Sequence, residues 1–493
     1  MTEALGAVLA IALIGLLLLA FWLAWRRPFV SLGVLVAGMA FHSFVLMILI
    51  RLGTPYVLVR VFQAWKEVLL AWLALIALRW VWQARRNGFL ASLIPSDWLA
   101  LAFALIAIVY FVLPSSVLHS DATFSQRLVG FRILILIPLL YFLGRTLTAE
   151  NDHQRLTVVW LCLGAAAAVT LFGIFELFFV PTRTWLDWGV NQYTSFLGFT
   201  YHGPSGLPEN FFLGLPDGTL VRRMVSTYIS PLGIAYTALV LFPMAVAVMD
   251  RRVPQRIARW IAVLTVLLIL GVALSITRLA LFCLVGEALV LWLLLRRAWI
   301  AGLVPVLIAG AVIALWPYTS IAPAVDNNLA PIHRGALVLA ISSHDSSANE
   351  HYTYLISDLK VDLQHPLGLG TGASTIRYGK LVGTGESAVL GMFGDLGLLG
   401  GAVYLALYLM VLWLGWRTLR MTRRVSLGEV LPLVVLVGGL GLIPITMTSD
   451  LWGDLSVTFL FWWAAGATAT LSTRVARTGA RGALGQKTAP SVP

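Results

Sequence analysis

Thirteen times along its 493 residues the chain runs for roughly 18–22 residues on almost wholly apolar side chains, the length that crosses ~30 Å of hydrocarbon. Inside a bilayer every backbone N–H and C=O must pair within the protein, which leaves helices or a closed β-barrel. A barrel reads as alternating segments of about ten residues, whereas these runs are continuous. The rest of the sequence agrees: 59% of residues are hydrophobic, 11% are charged and mean hydropathy is +0.89. A soluble domain carries about 25% charged residues, so this chain cannot coat a solvated surface of its size. The expected fold class is all-α, a polytopic integral membrane protein of about 12–13 transmembrane helices.

The spans form one membrane domain over 1–472, from the first near 5–25 to the last near 455–472. Two large polar loops interrupt them at about 180–229 and 317–397, and a basic tail, expected to be disordered, follows over 473–493. Twenty of the 34 Lys and Arg residues lie on the side holding Arg26, Arg85, Arg145, Arg251, Arg296, Arg417 and Arg474, against thirteen on the other. The richer side is read as cytoplasmic, so both large loops face outward. The net charge of +12 is therefore positive-inside anchoring, and nucleic acid is excluded as a partner. Cys162 and Cys283 both fall inside spans, so neither a disulfide framework nor a Cys metal site is expected. Met1-Thr2-Glu3 lacks a basic signal-peptide start, and the first helix is expected to stay in the mature protein. No internal repeat of the kind many transporters carry is visible.

Charge within a span is costly and marks either a buried partner or a functional cavity. Arg132, Glu176, Arg278, Glu287, Glu386 and Asp395 are such residues, with Lys66/Glu67 and Arg222/Arg223 at span mouths. Several of them sit at or near the outer ends, and converging there they predict a basic cavity suited to an anionic lipid head group, because a guanidinium makes bidentate bonds to diphosphate and stays charged. Plainer roles compete. Lys66/Glu67 also reads as a snorkelling pair, Arg278 as a turn arginine, and Glu287 as a structural carboxyl. Trp185, Trp188 and Tyr378 are candidate sugar contacts, with interfacial anchoring as the competing role. The Gly368/Gly370/Gly372 run lacks the Lys-Ser/Thr of a P-loop.

Three segments resemble the O-antigen ligase and Wzy-type O-antigen and exopolysaccharide polymerase superfamily, bacterial membrane glycosyltransferases. They are Arg223-Met224-Val225-Ser226-Thr227-Tyr228-Ile229-Ser230-Pro231, Ser275-Ile276-Thr277-Arg278, and His365-Pro366-Leu367-Gly368-Leu369-Gly370-Thr371-Gly372 with Glu386-Ser387 and Gly397-Leu398-Leu399-Gly400. Gly130-Phe131-Arg132 and Glu176 are weaker echoes, and the resemblance spans roughly 60–472. The chain departs from the ligases at Glu386, where they carry a histidine. A carboxylate can serve as general base there, and the departure favours a polymerase.

The resemblance implies a GT-C-like fold in the bacterial inner membrane with its active site facing the periplasm. It implies inverting transfer of glycan from an undecaprenyl-diphosphate-linked donor to a sugar hydroxyl, with a chain-length regulator as a candidate partner. Arg222, Arg223, Arg278 and Arg132 are the expected diphosphate ligands, Glu386 the base and His365 the reserve base. No cofactor or metal is expected; the outer side has no Asp-x-Asp, His-x-x-x-His or Cys cluster. A ligase moving finished glycan to lipid A-core is the alternative within this chemistry, and a flippase for lipid-linked sugar the alternative outside it.

Overall fold

The computed structural model describes residues 2–85, 93–198, 206–214, 220–250, 253–309, 346–374, 386–422 and 427–487. The helices that matter here are α1 (Thr2–Arg26), α2 (Ser31–Arg51), α3 (Tyr56–Gln63), α4 (Trp65–Arg85), α5 (Pro95–Val112), α6 (Phe124–Thr146) and α7 (Asp152–Phe179). A short hairpin follows, β1 (Phe212–Gly214) antiparallel to β2 (Leu220–Arg222). Then come α8 (Pro231–Met249), α9 (Gln255–Leu274), α10 (Arg278–Leu295), α11 (Ser346–Gln364), α12 (Ala388–Met421), the interrupted span α13 (Leu427–Thr448) and α14 (Leu455–Lys487). The protein is an all-α polytopic membrane protein. Among the described residues ten helices are long and apolar enough to cross a membrane, or eleven if the 43° bent pair α3/α4 is one span. The sequence-based count of thirteen also included the N-terminal helix, near 5–25, and the segment near 299–316. Their described apolar parts, Ile11–Arg26 and Ala298–Ala309, are shorter than a full span, and 310–345 lie outside the described residues. The last helix continues to Lys487, past the point where the sequence placed the start of a disordered tail.

Burial separates inner helices from outer ones. The apolar window of α8 is 89% buried and that of α14 is 94% buried, against 28% for α5. Trp22, Leu75, Leu105, Phe175, Phe282 and Leu409 point outward, which a hydrocarbon solvent permits. Around α14 the core is aromatic: Tyr404, Tyr408, Trp452, Phe461 and Trp462 pack edge-on and tilted, and Trp452 Nε1 donates to the Tyr404 hydroxyl at 2.8 Å. Glycine lets α6 and α14 touch, since a Cβ on Gly466 would lie 1.8 Å from the Tyr141 carbonyl oxygen.

Each end of the bundle has its own polar ties. At one, Asp97 takes a two-pronged pair from Arg145 at 2.8 and 2.7 Å and a third bond from the Tyr141 hydroxyl. At the other, the Tyr110 hydroxyl donates to the Leu367 carbonyl, Met224 N to Leu274 O and Ala388 N to Ser449 O. The segments of the family-like motifs lie at this second end.

Candidate functional site

Two tight turns present the arginines. The β hairpin carries the chain to Arg222 and Arg223, and neighbouring residues of an extended strand face opposite ways. Arg222 turns inward and is buried, bonding Glu176 Oε2 at 2.9 Å and the Val180 carbonyl at 2.7 Å. Arg223 turns to the α9–α10 connection, where Nε donates to Ser275 O at 2.9 Å and Nη2 to Thr277 Oγ1 at 3.0 Å. Arg278 opens α10 beside it, one residue after Thr277. Burial pulls Arg223 down to about 10, the Tyr236 hydroxyl opposes that, and the Arg278 charge adds to it. It remains a cation at neutral pH.

The backbone at both turns is strained. Ile276, in the turn before Arg278, has φ 52°, and Ile229, just before α8, has φ 56°. β-branched residues are rare in this left-handed region, and such strain persists only where surrounding contacts impose it. Here Met224 N donates to the Leu274 carbonyl, and Arg223 donates to Ser275 O and Thr277 Oγ1, which ties the segment leading into α8 to the turn before Arg278. After the second, Ser230 and Pro231 start α8 with proline in the first turn.

Glu386 lies at the head of α12, where Ser387 Oγ caps the helix by accepting from Leu390 N at 3.1 Å. Its carboxylate meets an imidazole the sequence reading did not single out: His351 Nδ1 is 2.8 Å from Glu386 Oε2, and both side chains are part-exposed. A carboxylate on one ring nitrogen fixes the tautomer and turns the other outward, the usual arrangement of an oriented base. A chain of neighbours leads from this dyad to the arginines. Ala388 N bonds Ser449 O, the Ser449 side chain bonds Tyr236, and Tyr236 is the charge neighbour of Arg223. His365 does not join the dyad. It follows the far end of α11, about 21 Å of helix from His351, and its backbone closes the turn to Gly368 N at 2.8 Å. Its ring is exposed.

Gly368–Gly372 does not cradle a phosphate. Leu369 N donates to Gly394 O and Gly370 N to Asp395 O, while Asp395 Oδ2 accepts from Gly372 N at 2.8 Å. Asp395 Oδ1 accepts from Ser374 N at 2.9 Å and its hydroxyl at 2.7 Å. The loop is thus bound to the break in α12, where Gly397 has φ 67°, and lies flat on α6: a Cβ on Gly130 would sit 2.2 Å from Gly372 N. Asp395 is a positioning residue.

Several expected ligands lie elsewhere. Arg222 is held by Glu176, whose Oε1 also accepts from Val225 N and Ser226 N. Trp185 is fully buried and donates to Glu176 Oε2 at 3.2 Å, so it has no face for a sugar. Trp188 packs against Phe44, Phe172 and Trp185. Arg132 pairs with Glu67 at 3.1 Å and shares no described contact with Arg223 or Arg278. Tyr378 lies outside the described residues. Glu287 faces Gly441 beside a recess of about 290 Å³ between α10 and α13, and neither carboxyl oxygen has a hydrogen-bond partner. Among the described residues no group of three or more His, Cys, Asp or Glu is placed to hold a metal ion. No family model matches the chain, and no curated protein does either.

Proposed function

We propose that the protein is a polysaccharide polymerase of the bacterial inner membrane, with a GT-C-like fold and its site facing the periplasm. It joins lipid-linked repeat units by inverting transfer from an undecaprenyl-diphosphate donor. The observation that carries this reading is the placing of Arg223 beside Arg278, with Arg223 bonded to the strained turn that precedes Arg278, at the bundle end that also holds the His351–Glu386 dyad. In this account the two guanidiniums receive the diphosphate, and their charge, rather than a metal ion's, stabilises it as it leaves. The acceptor hydroxyl gives its proton to the dyad and its oxygen attacks the anomeric carbon. The bond from that carbon to the diphosphate oxygen breaks, and the diphosphate keeps the electron pair.

One observation favours the ligase reading. The imidazole that ligases carry at the Glu386 position is supplied here by His351 from another helix. The two readings separate in a deletion strain complemented with wild type, Glu386→Gln or Arg278→Ala. Single repeat units accumulating on the lipid in the deletion and both variants support the polymerase. Accumulation of long lipid-linked chains would instead make the protein a ligase, and normal glycan in both variants would overturn the site.

A further inference from the structure

A second cluster of basic groups lies within the membrane on α2, α4 and α6. Trp65 Nε1 donates to His42 Nδ1 at 3.2 Å. An indole N–H only donates, so Nδ1 accepts and the imidazole hydrogen sits on Nε2, 3.4 Å from Lys66 Nζ. Lys66 is buried, donates to the Gln63 carbonyl at 2.6 Å, at the bend between α3 and α4, and lies 3.3 Å from Glu67 Oε2 as an ion pair without a hydrogen bond. Arg132 gives one donor, Nη1, to Glu67 Oε1 at 3.1 Å, while its Nε is buried without an acceptor. Donors from Lys66 and Arg132 thus converge on one carboxylate and one carbonyl, while the His42 Nε2–H faces the Lys66 ammonium, which cannot accept it. Snorkelling explains an exposed lysine, but Lys66 is only 3% exposed.

A donor-rich, acceptor-poor pocket is complementary to an anion with many acceptor oxygens, and Arg132 and Glu67 are about one-third exposed, which leaves it open on one side. Arg132 stands eight residues, about 12 Å, along α6 from its Phe124 end, so an anion arriving there comes with a lipid. We infer that His42, Lys66 and Arg132 form a second phosphate site, separate from Arg223 and Arg278, that holds the phosphate of a lipid. Its occupant follows from the polymerase reading and rests on it: joining two lipid-linked units needs donor and acceptor phosphates held together. α2 walls both sites, since the Ala40 carbonyl accepts from the Thr227 hydroxyl and His42 lies two residues further on.

Native mass spectrometry of the full chain in neutral detergent tests this, with phosphatidic acid as the probe, diacylglycerol as phosphate-free reference and inorganic phosphate as competitor. The site predicts that Arg132→Gln and Lys66→Met each weaken one phosphatidic acid adduct about tenfold, the effect of one charge-assisted hydrogen bond. Glu67→Gln removes the competing negative charge and strengthens the same adduct, a gain that misfolding does not produce. Arg223→Gln leaves it intact. Unchanged adducts in Arg132→Gln and Lys66→Met, or displacement by inorganic phosphate, would overturn the lipid-phosphate site. If Arg223→Gln alone removes phosphatidic acid, the second site falls and the proposed function stands.

Discussion

Arg223 and Arg278 carry the same charge on different tethers. Arg223 is fastened by a backbone carbonyl and a hydroxyl, and Arg278 stands in the first turn of α10. Each is expected to lower kcat by ~10²–10³ when changed to Gln, the usual effect of removing one transition-state donor. Arg278→Lys keeps the charge, loses the planar fork and falls between. His351→Asn should lower kcat with KM little changed, because in the proposed reaction the dyad acts on the proton and not on the diphosphate; a rise in KM alone would remove it from the chemistry. In sequence, nothing separates Arg222 from Arg223. Strand alternation separates them in space, turning one into Glu176 and the other into the site. His351 was not legible at all, since it stands in a polar helix and gains its meaning only from Glu386, 35 residues on.

α11 docks against α12 through carboxylates that resist one another. Burial, with Asp358 and Asp395 nearby, raises Asp362 from 3.8 to about 7, and its Oδ2 has no hydrogen-bond partner. Docked α11 therefore binds this proton more tightly than undocked α11, so docking is strongest below about pH 4 and weakens as pH rises through about 7. Hydrogen exchange across 346–364, corrected for intrinsic rates, should show protection falling from pH 5 to pH 8 in wild type and level in Asp362→Asn. Equal protection at both pH values in wild type contradicts the assignment. Asp395→Ala strands two backbone donors, Gly372 N and Ser374 N, while the Ser374 hydroxyl keeps the Gly391 carbonyl, and should destabilise the protein by about 3 kcal/mol, read as a lower midpoint of thermal unfolding. The glycines before it were legible as a loop, and their closeness to α6 was not. Only the fold brings Gly372 against Gly130.

At the scale of the whole molecule, apolar run length fixed most of the architecture before any contact was known. A run of about twenty apolar residues has one solution in a bilayer. What stayed hidden was which helices are inner, because lipid-facing and protein-facing leucines look alike in a membrane sequence; α8 and α5 are both apolar, yet 89% and 28% buried. The buried pairs Arg145–Asp97 and Arg222–Glu176 were hidden because each joins residues far apart in the chain. The central claim is that the Arg223/Arg278 end transfers glycan from a lipid diphosphate. Its most direct test is purified protein in liposomes given an undecaprenyl-diphosphate-linked repeat unit, with product length and released lipid diphosphate both measured. Under the proposed function chains lengthen, one lipid diphosphate is freed per bond formed, and Arg278→Gln loses ~10²–10³ in rate. Lipid-linked sugar that crosses the bilayer with no new glycosidic bond and no freed diphosphate would contradict it.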